Sequence, residues 1–199
     1  MKTIKRTLFA VLAISATVLA ALPAAAADWQ LDQAHSSVGF SIRHMTVSKV
    51  KGSFNAFEGT VTGDPAVPTS LAVEVVIQVA SIDTGNRDRD DHLLNPDFFD
   101  AATYPTITFR STGVTMDGSE GKLKGELTMH GVTKPVELDL EYAGVMDDPW
   151  GYRRAGFSAS GTIDRQDFGL TYNKALETGG LVLGNDVAVA IEVELVQAK

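Results

Sequence analysis

Val187-Ala188-Val189-Ala190-Ile191-Glu192-Val193-Glu194-Leu195 places a branched apolar residue at every second position. Successive side chains of an extended chain point to opposite faces, so this period of two describes a strand with one buried face. The alternation continues outward through nearly the whole sequence. Val38, Phe40 and Ile42 alternate with Gly39, Ser41 and Arg43, and Leu71, Val73, Val75, Ile77 and Val79 with Ala72, Glu74, Val76 and Gln78. Val136, Leu138, Leu140 and Tyr142 alternate with Glu137, Asp139 and Glu141. Turn signals fall at Gly63-Asp64-Pro65, Asp117-Gly118, His130-Gly131, Asp147-Asp148-Pro149 and Gly184-Asn185. Strands are therefore expected near 36–44, 49–63, 70–80, 105–116, 121–130, 133–146, 152–164 and 186–197. Joined by hairpins, they must wrap their apolar faces around one interior, as an antiparallel barrel or a sandwich.

The N-terminal residues read differently. Lys2, Lys5 and Arg6 precede an apolar run from Leu8 to Leu22, and Pro23-Ala24-Ala25-Ala26-Ala27 follows. A basic start, a short apolar middle and a small-residue end predict a secretory signal peptide over residues 1–26, cleaved near Ala26. The apolar run is short for a bilayer span. One domain is expected over 27–199, long enough to bury a core without crosslinks. There is no cysteine, which excludes disulfides, thiol catalysis, thiolate-held zinc and iron–sulfur clusters. The full chain has a net charge of −8; without the three leader cations, 14 Lys and Arg remain against 25 Asp and Glu, a net charge of −11. Such a surface repels phosphate backbones, so nucleic acid is not an expected partner. Stable adsorption to an anionic membrane is not expected either, because no basic amphipathic helix is visible.

Chemistry-bearing motifs are sparse. His35, His44, His92 and His130 lie on different expected elements and in no metal-ligand spacing, so surface or hydrogen-bonded structural roles are the better reading. Ser48-Lys49-Val50-Lys51 matches Ser-x-x-Lys, but that motif needs a helix start and here sits in strand-like sequence. No Gly-x-Ser-x-Gly elbow exists. Gly179-Gly180 and Gly184 read as a flexible connection rather than a phosphate loop. Asp88 and Asp91 could be drawn as an acid–base pair, but Arg87 and Arg89 among them describe a solvated helix face. No constellation argues for catalysis or a metal.

One stretch breaks the strand pattern. Residues 86–95 are helical in composition, and Pro96 ends that run by disfavouring helix at Asn95. Leu93, Leu94, Phe98 and Phe99 are too apolar for water, so the insert near residues 87–100 packs over one end of the sheet, either as a lid or as a plug. An eight-stranded cylinder is either filled by side chains or wide enough for one slender ligand. Ala155, Ala159, Gly161 and Gly125 fall on inward positions, beside Phe157 and Ile163. Small residues there either leave room or allow close strand packing.

Four longer stretches are more specific. Asp32-Gln33-Ala34-His35-Ser36-Ser37-Val38-Gly39-Phe40-Ser41-Ile42-Arg43-His44 opens the mature chain, and Asp91-His92-Leu93 leads to Asp97-Phe98-Phe99-Asp100 and Tyr104-Pro105. Then come Gly125-Glu126-Leu127-Thr128-Met129-His130-Gly131-Val132-Thr133-Lys134-Pro135-Val136 and Gly161-Thr162-Ile163-Asp164-Arg165-Gln166-Asp167-Phe168-Gly169-Leu170. In this order and spacing the chain closely resembles the YceI-like family of exported bacterial lipid-binding proteins, over essentially all of its mature length. The resemblance implies an all-β, extended, lipocalin-like eight-stranded antiparallel barrel with the helical insert covering its pore. It implies a periplasmic carrier or reservoir holding a long isoprenoid or similar amphiphile, with a polyprenyl lipid or isoprenoid quinone as the bound group. The same resemblance admits a quinone-handling helper of a membrane cytochrome. A membrane donor, a homodimer, and a filled barrel acting in stress through its surface stay open beside it.

Strand parity then nominates a lipid-contacting face: Phe40 and Ile42; Val73, Val75 and Ile77; Phe109; Leu127 and Met129; Leu138 and Leu140; Phe157; Val189 and Ile191. Parity settles the face but not the depth, so about half are expected to touch ligand. His44 and Arg110 are the candidates for polar groups at the opening, with the outer surface as the alternative for either.

Overall fold

The alternating stretches form β1 (Trp29–Leu31), β2 (Ser37–His44), β3 (Ser48–Phe54), β4 (Phe57–Thr62), β5 (Ala72–Gln78) and β6 (Ile82–Asp83). After α1 (Arg87–Leu93), the one α-helix among the described residues, come β7 (Thr106–Asp117), β8 (Glu120–Met129), β9 (Val132–Asp147), β10 (Arg153–Asp164) and β11 (Leu183–Gln197). The computed structural model describes residues 29–177 and 179–197, so the expected leader over 1–26 lies outside the described residues.

Pairing reduces these strands to eight rows. β1 and β2 both lie between β11 and the next hairpin arm: Trp29 pairs with Gln197 and Val61, whereas Val38 pairs with Ile191 and Phe54. They are one strand, bent by a 3₁₀ turn at Gln33–His35 where the Asp32 carboxylate accepts from the Ala34 amide at 3.0 Å. β3 and β4 are likewise halves of one strand, interrupted at Asn55 and Ala56. β5 and β6 are halves of a third, bent at Val79–Ser81. Each row is antiparallel to the next, and the last pairs back to the first. The result is a closed eight-stranded barrel, since the last row pairs back to the first.

Local chemistry sets the corners. His130 (φ 51°) and Gly131 (φ 74°) both take left-handed backbone between the paired Met129 and Val132. Two such residues make the hairpin turn whose twist matches the flanking strands. α1 starts where the Asn86 side chain accepts from the Arg89 amide at 3.0 Å, with Asp88 and Asp90 in its positive first turn. Asp88 and Asp91 are exposed, and Arg87 reaches Asp91 at 3.9 Å, as a solvated helix face requires.

Two apolar clusters lie toward the two ends of the barrel. One gathers around Trp29, Leu71, Val114 and Leu195; the other, beneath α1, around Phe54, Val79, Phe98 and Phe168. Outside the first end, Arg154 ties four segments together. Its Nε donates to Asp148 Oδ2 at 2.7 Å and its Nη1 to Asp32 Oδ2 at 2.8 Å and to Glu194. This pairing, then the His35 bond, lowers the Asp32 pKa to about 2. His35, Asp32 and Glu194 form a cluster of potential metal ligands, but the guanidinium already supplies its cation.

Candidate functional site

The side chains that alternate inward do not meet across the barrel axis. They line a continuous cavity of about 800 Å³, reaching from Leu71, Val114 and Leu195 near one end to Phe99, Tyr172 and Lys174 at the other. That is within the range of pockets that hold a ligand of drug size or larger.

Parity accounts for the lining. Phe40, Ile42, Val73, Val75 and Ile77 face the cavity from the first and third rows. Phe109, Leu127, Met129, Leu138 and Leu140 face it from β7, β8 and β9, and Phe157, Val189 and Ile191 from β10 and β11. His44, at the end of β2, also lines it. Arg110 does not: its side chain is 75% exposed and its Nε lies 3.2 Å from Glu74 on the outer face. The expectation for Arg110 contradicted the parity that placed Phe109 inside, since consecutive strand residues cannot share a face.

The inward glycines leave space that neighbouring side chains use. A Cβ at Gly125 would lie 2.4 Å from the Phe109 ring, one at Gly161 2.7 Å from Leu138 Cδ2, and one at Gly52 2.5 Å from the Phe40 ring. Large side chains thus settle over the glycines, against the wall and off the axis. The small residues make room for neighbouring side chains along the wall, beside a cavity that stays open.

The insert covers one end without filling it. Leu93, Phe98 and Phe99 line the cavity beneath, whereas Leu94 packs into the surrounding cluster without reaching the void. Phe99 meets Phe54 edge-on at 6.0 Å, and Phe98 contacts Tyr172 at 4.8 Å and His92 at 5.1 Å. His92 also bonds Asp97 at 3.0 Å.

Charged groups enter the lining at this end alone. They are Arg89, Arg165 and Lys174, joined by His44 and His92, and no Asp or Glu among the described residues lines the cavity. Arg89 is held by Thr84, donating from Nε to its hydroxyl at 2.7 Å and from Nη2 to its carbonyl at 2.7 Å. Arg165 is 5% exposed; its Nε donates to the Gly184 carbonyl at 2.9 Å and its Nη1 to that of Leu170, while Nη2 has no hydrogen-bond partner. Burial pushes its pKa down, against the opposing field of Asp164. Arg165 therefore clasps the turn after β10 to the start of β11. Sequence reasoning missed Arg89, Arg165, Tyr172 and Lys174 because they lie on the helix and loops, where period two carries no information.

A YceI-like domain model matches residues 29–195. The chain belongs to the YceI-like family. Protein YceI of Escherichia coli O157:H7 is 40% identical over 94% of this chain and 96% of its own length. The YceI protein of Campylobacter jejuni, known as a crystal structure, is 38% identical with a TM-score of 0.69, covering 85% of this chain and 98% of that one. A polyisoprenoid binding domain from Saccharophagus degradans, implicated in plant cell wall breakdown, shares the YceI-like fold at 17% identity and a TM-score of 0.62, over 86% of this chain and 99% of that one.

Proposed function

We propose that this protein is a periplasmic carrier or reservoir that holds one long isoprenoid, or a similar amphiphilic chain, inside its barrel. The carrying observation is the continuous apolar cavity of about 800 Å³. Membership of the YceI-like family supports the reading, as does the description of a barrel of the same fold as polyisoprenoid binding. The leader over 1–26, cut near Ala26, exports the protein, and about half of the thirteen inward residues nominated by parity touch the tail.

A tail burying several hundred Å² gains roughly 10–20 kcal/mol of gross transfer from water. Ordering the flexible chain subtracts much of that. In a cell envelope the competitor is the bilayer, whose tails solvate the ligand about as well as the cavity does. Most of the transfer term then cancels, and net preference comes from shape, tail length and contacts at the mouth. The protein accordingly receives its lipid from a membrane donor instead of stripping membranes unaided.

Organic extraction of natively purified protein followed by mass spectrometry tests this. One long-chain species at near-equimolar amount is the expected result. A protein that copurifies with no lipid, and takes up none from a polyprenol dispersion, overturns the carrier. Rapid extraction of polyprenols from neutral liposomes by the lipid-free protein would overturn the need for a donor.

A further inference from the structure

The hairpin of β2 and β3 concentrates the positive charge of an acidic molecule. No Asp or Glu occurs between Asp32 and Glu58, although the chain holds 25. Arg43, Lys49 and Lys51 are exposed on the outer face of this hairpin, and Arg43 stands directly opposite Lys49. Like charges in that position destabilise a sheet. No ion pair within 4.0 Å joins any of them, or Lys174, to a carboxylate among the described residues. Asp186 and Glu177, on adjoining segments, leave them unpaired as well.

Apolar side chains stand at the tip of the same hairpin. Val47 is 83% exposed and Met45 41%, and the neighbouring loop adds Leu181 at 47%. The two loops are tied together, for the Met45 amide donates to the Val182 carbonyl at 2.7 Å. This tip also borders the cavity's charged end: His44 and Ser48, the residues flanking it, line the void, as do Lys174 and Val182.

We infer that this hairpin docks the protein on an anionic bilayer surface, with Met45, Val47 and Leu181 entering the headgroup layer and the cavity mouth turned toward the membrane. Cations beside exposed apolar side chains are the chemistry of interfacial anchors, supplied here by strands where the sequence offered no helix. Each cation brought to an anionic surface raises affinity about fivefold. The acidic remainder of the molecule is repelled by the same surface, so charge alone selects this orientation. The purpose of docking rests on the carrier reading, but its measurement does not.

Flotation of the purified protein with phosphatidylcholine vesicles, with and without phosphatidylglycerol, reads the binding directly. Capture by anionic vesicles alone is expected, weakening as salt is raised. The double substitution Lys49→Glu, Lys51→Glu should reduce it by about tenfold or more, and Val47→Asp should reduce it while leaving strand content and melting temperature unchanged. Equal capture by neutral vesicles, or unaltered capture of both variants, overturns the docking surface. A dimer in sedimentation that Val47→Asp converts to monomer also overturns it, because a second copy then covers the tip. Lipid retained without vesicle capture sinks docking and spares the carrier; capture by a protein that never holds lipid upholds docking and sinks the carrier.

Discussion

Gly125 and Phe109 show how a single missing Cβ shapes the interior. The Phe109 ring occupies the volume that any other residue at 125 would claim, with Cβ–ring separations of only 2.4 Å. Gly125→Ala must push the ring toward the axis or part the β7–β8 pair, and overpacking of this kind costs about 1–3 kcal/mol. Lower lipid recovery and an earlier denaturant midpoint are expected together, with partial recovery of both on adding Phe109→Leu. A charge tests the same wall differently. Val75→Arg or Leu127→Arg places a guanidinium within the apolar lining, and should abolish lipid recovery while strand content, read by circular dichroism, persists. Unchanged lipid in both variants would discredit the assigned face.

Among the elements, α1 and its following turn are held over the cavity by aromatic contacts more than by helix length. Seven residues make a helix too short to persist alone. Phe99→Ala deletes the edge-on contact with Phe54, worth about 0.5–1.5 kcal/mol beyond its buried area. Faster release of bound lipid to acceptor vesicles is expected, with the barrel's melting changed far less than the release rate. At the opposite end the Arg154 network joins β10, β11, the β9–β10 turn and the segment after β1. Asp32 ionises at about 2 in the fold against 3.8 in its ordinary state. A depressed carboxylate pKa stabilises the fold above pH 3.8, and that contribution disappears as pH falls through about 2. Stability should therefore drop by on the order of 1 kcal/mol from this group between those limits. In Arg154→Met the acid-side slope of melting temperature against pH should flatten; an unaltered slope would show that the network does not link folding to Asp32.

For the whole molecule, an interior void without occupant forgoes contacts that a filled core would make. Removing lipid should lower the melting temperature, and returning it at a hundredfold excess over its dissociation constant should restore about 2.7 kcal/mol. A melting temperature indifferent to delipidation would mean that the ligand does not occupy the barrel. Much of this architecture was legible beforehand, because strand parity is local: Val187 to Leu195 announces its buried face without reference to any neighbour, and eight such rows leave few ways to close. Arg110, named for the opening with the outer surface as its alternative, takes the outer face that its place beside Phe109 gives it. The bends that split β1 from β2 and β3 from β4 were not legible, since irregular pairs such as Asn55-Ala56 resemble ordinary strand ends. Nor was the clustering of Arg89, Arg165, Tyr172 and Lys174 at one mouth, which joins residues far apart in the chain. Alternation by itself determined an all-β chain with one apolar face per strand. Only the tertiary structure decided that the barrel is hollow, because whether opposed side chains meet depends on barrel radius and on rings folded over glycines, and neither is a property of any one segment.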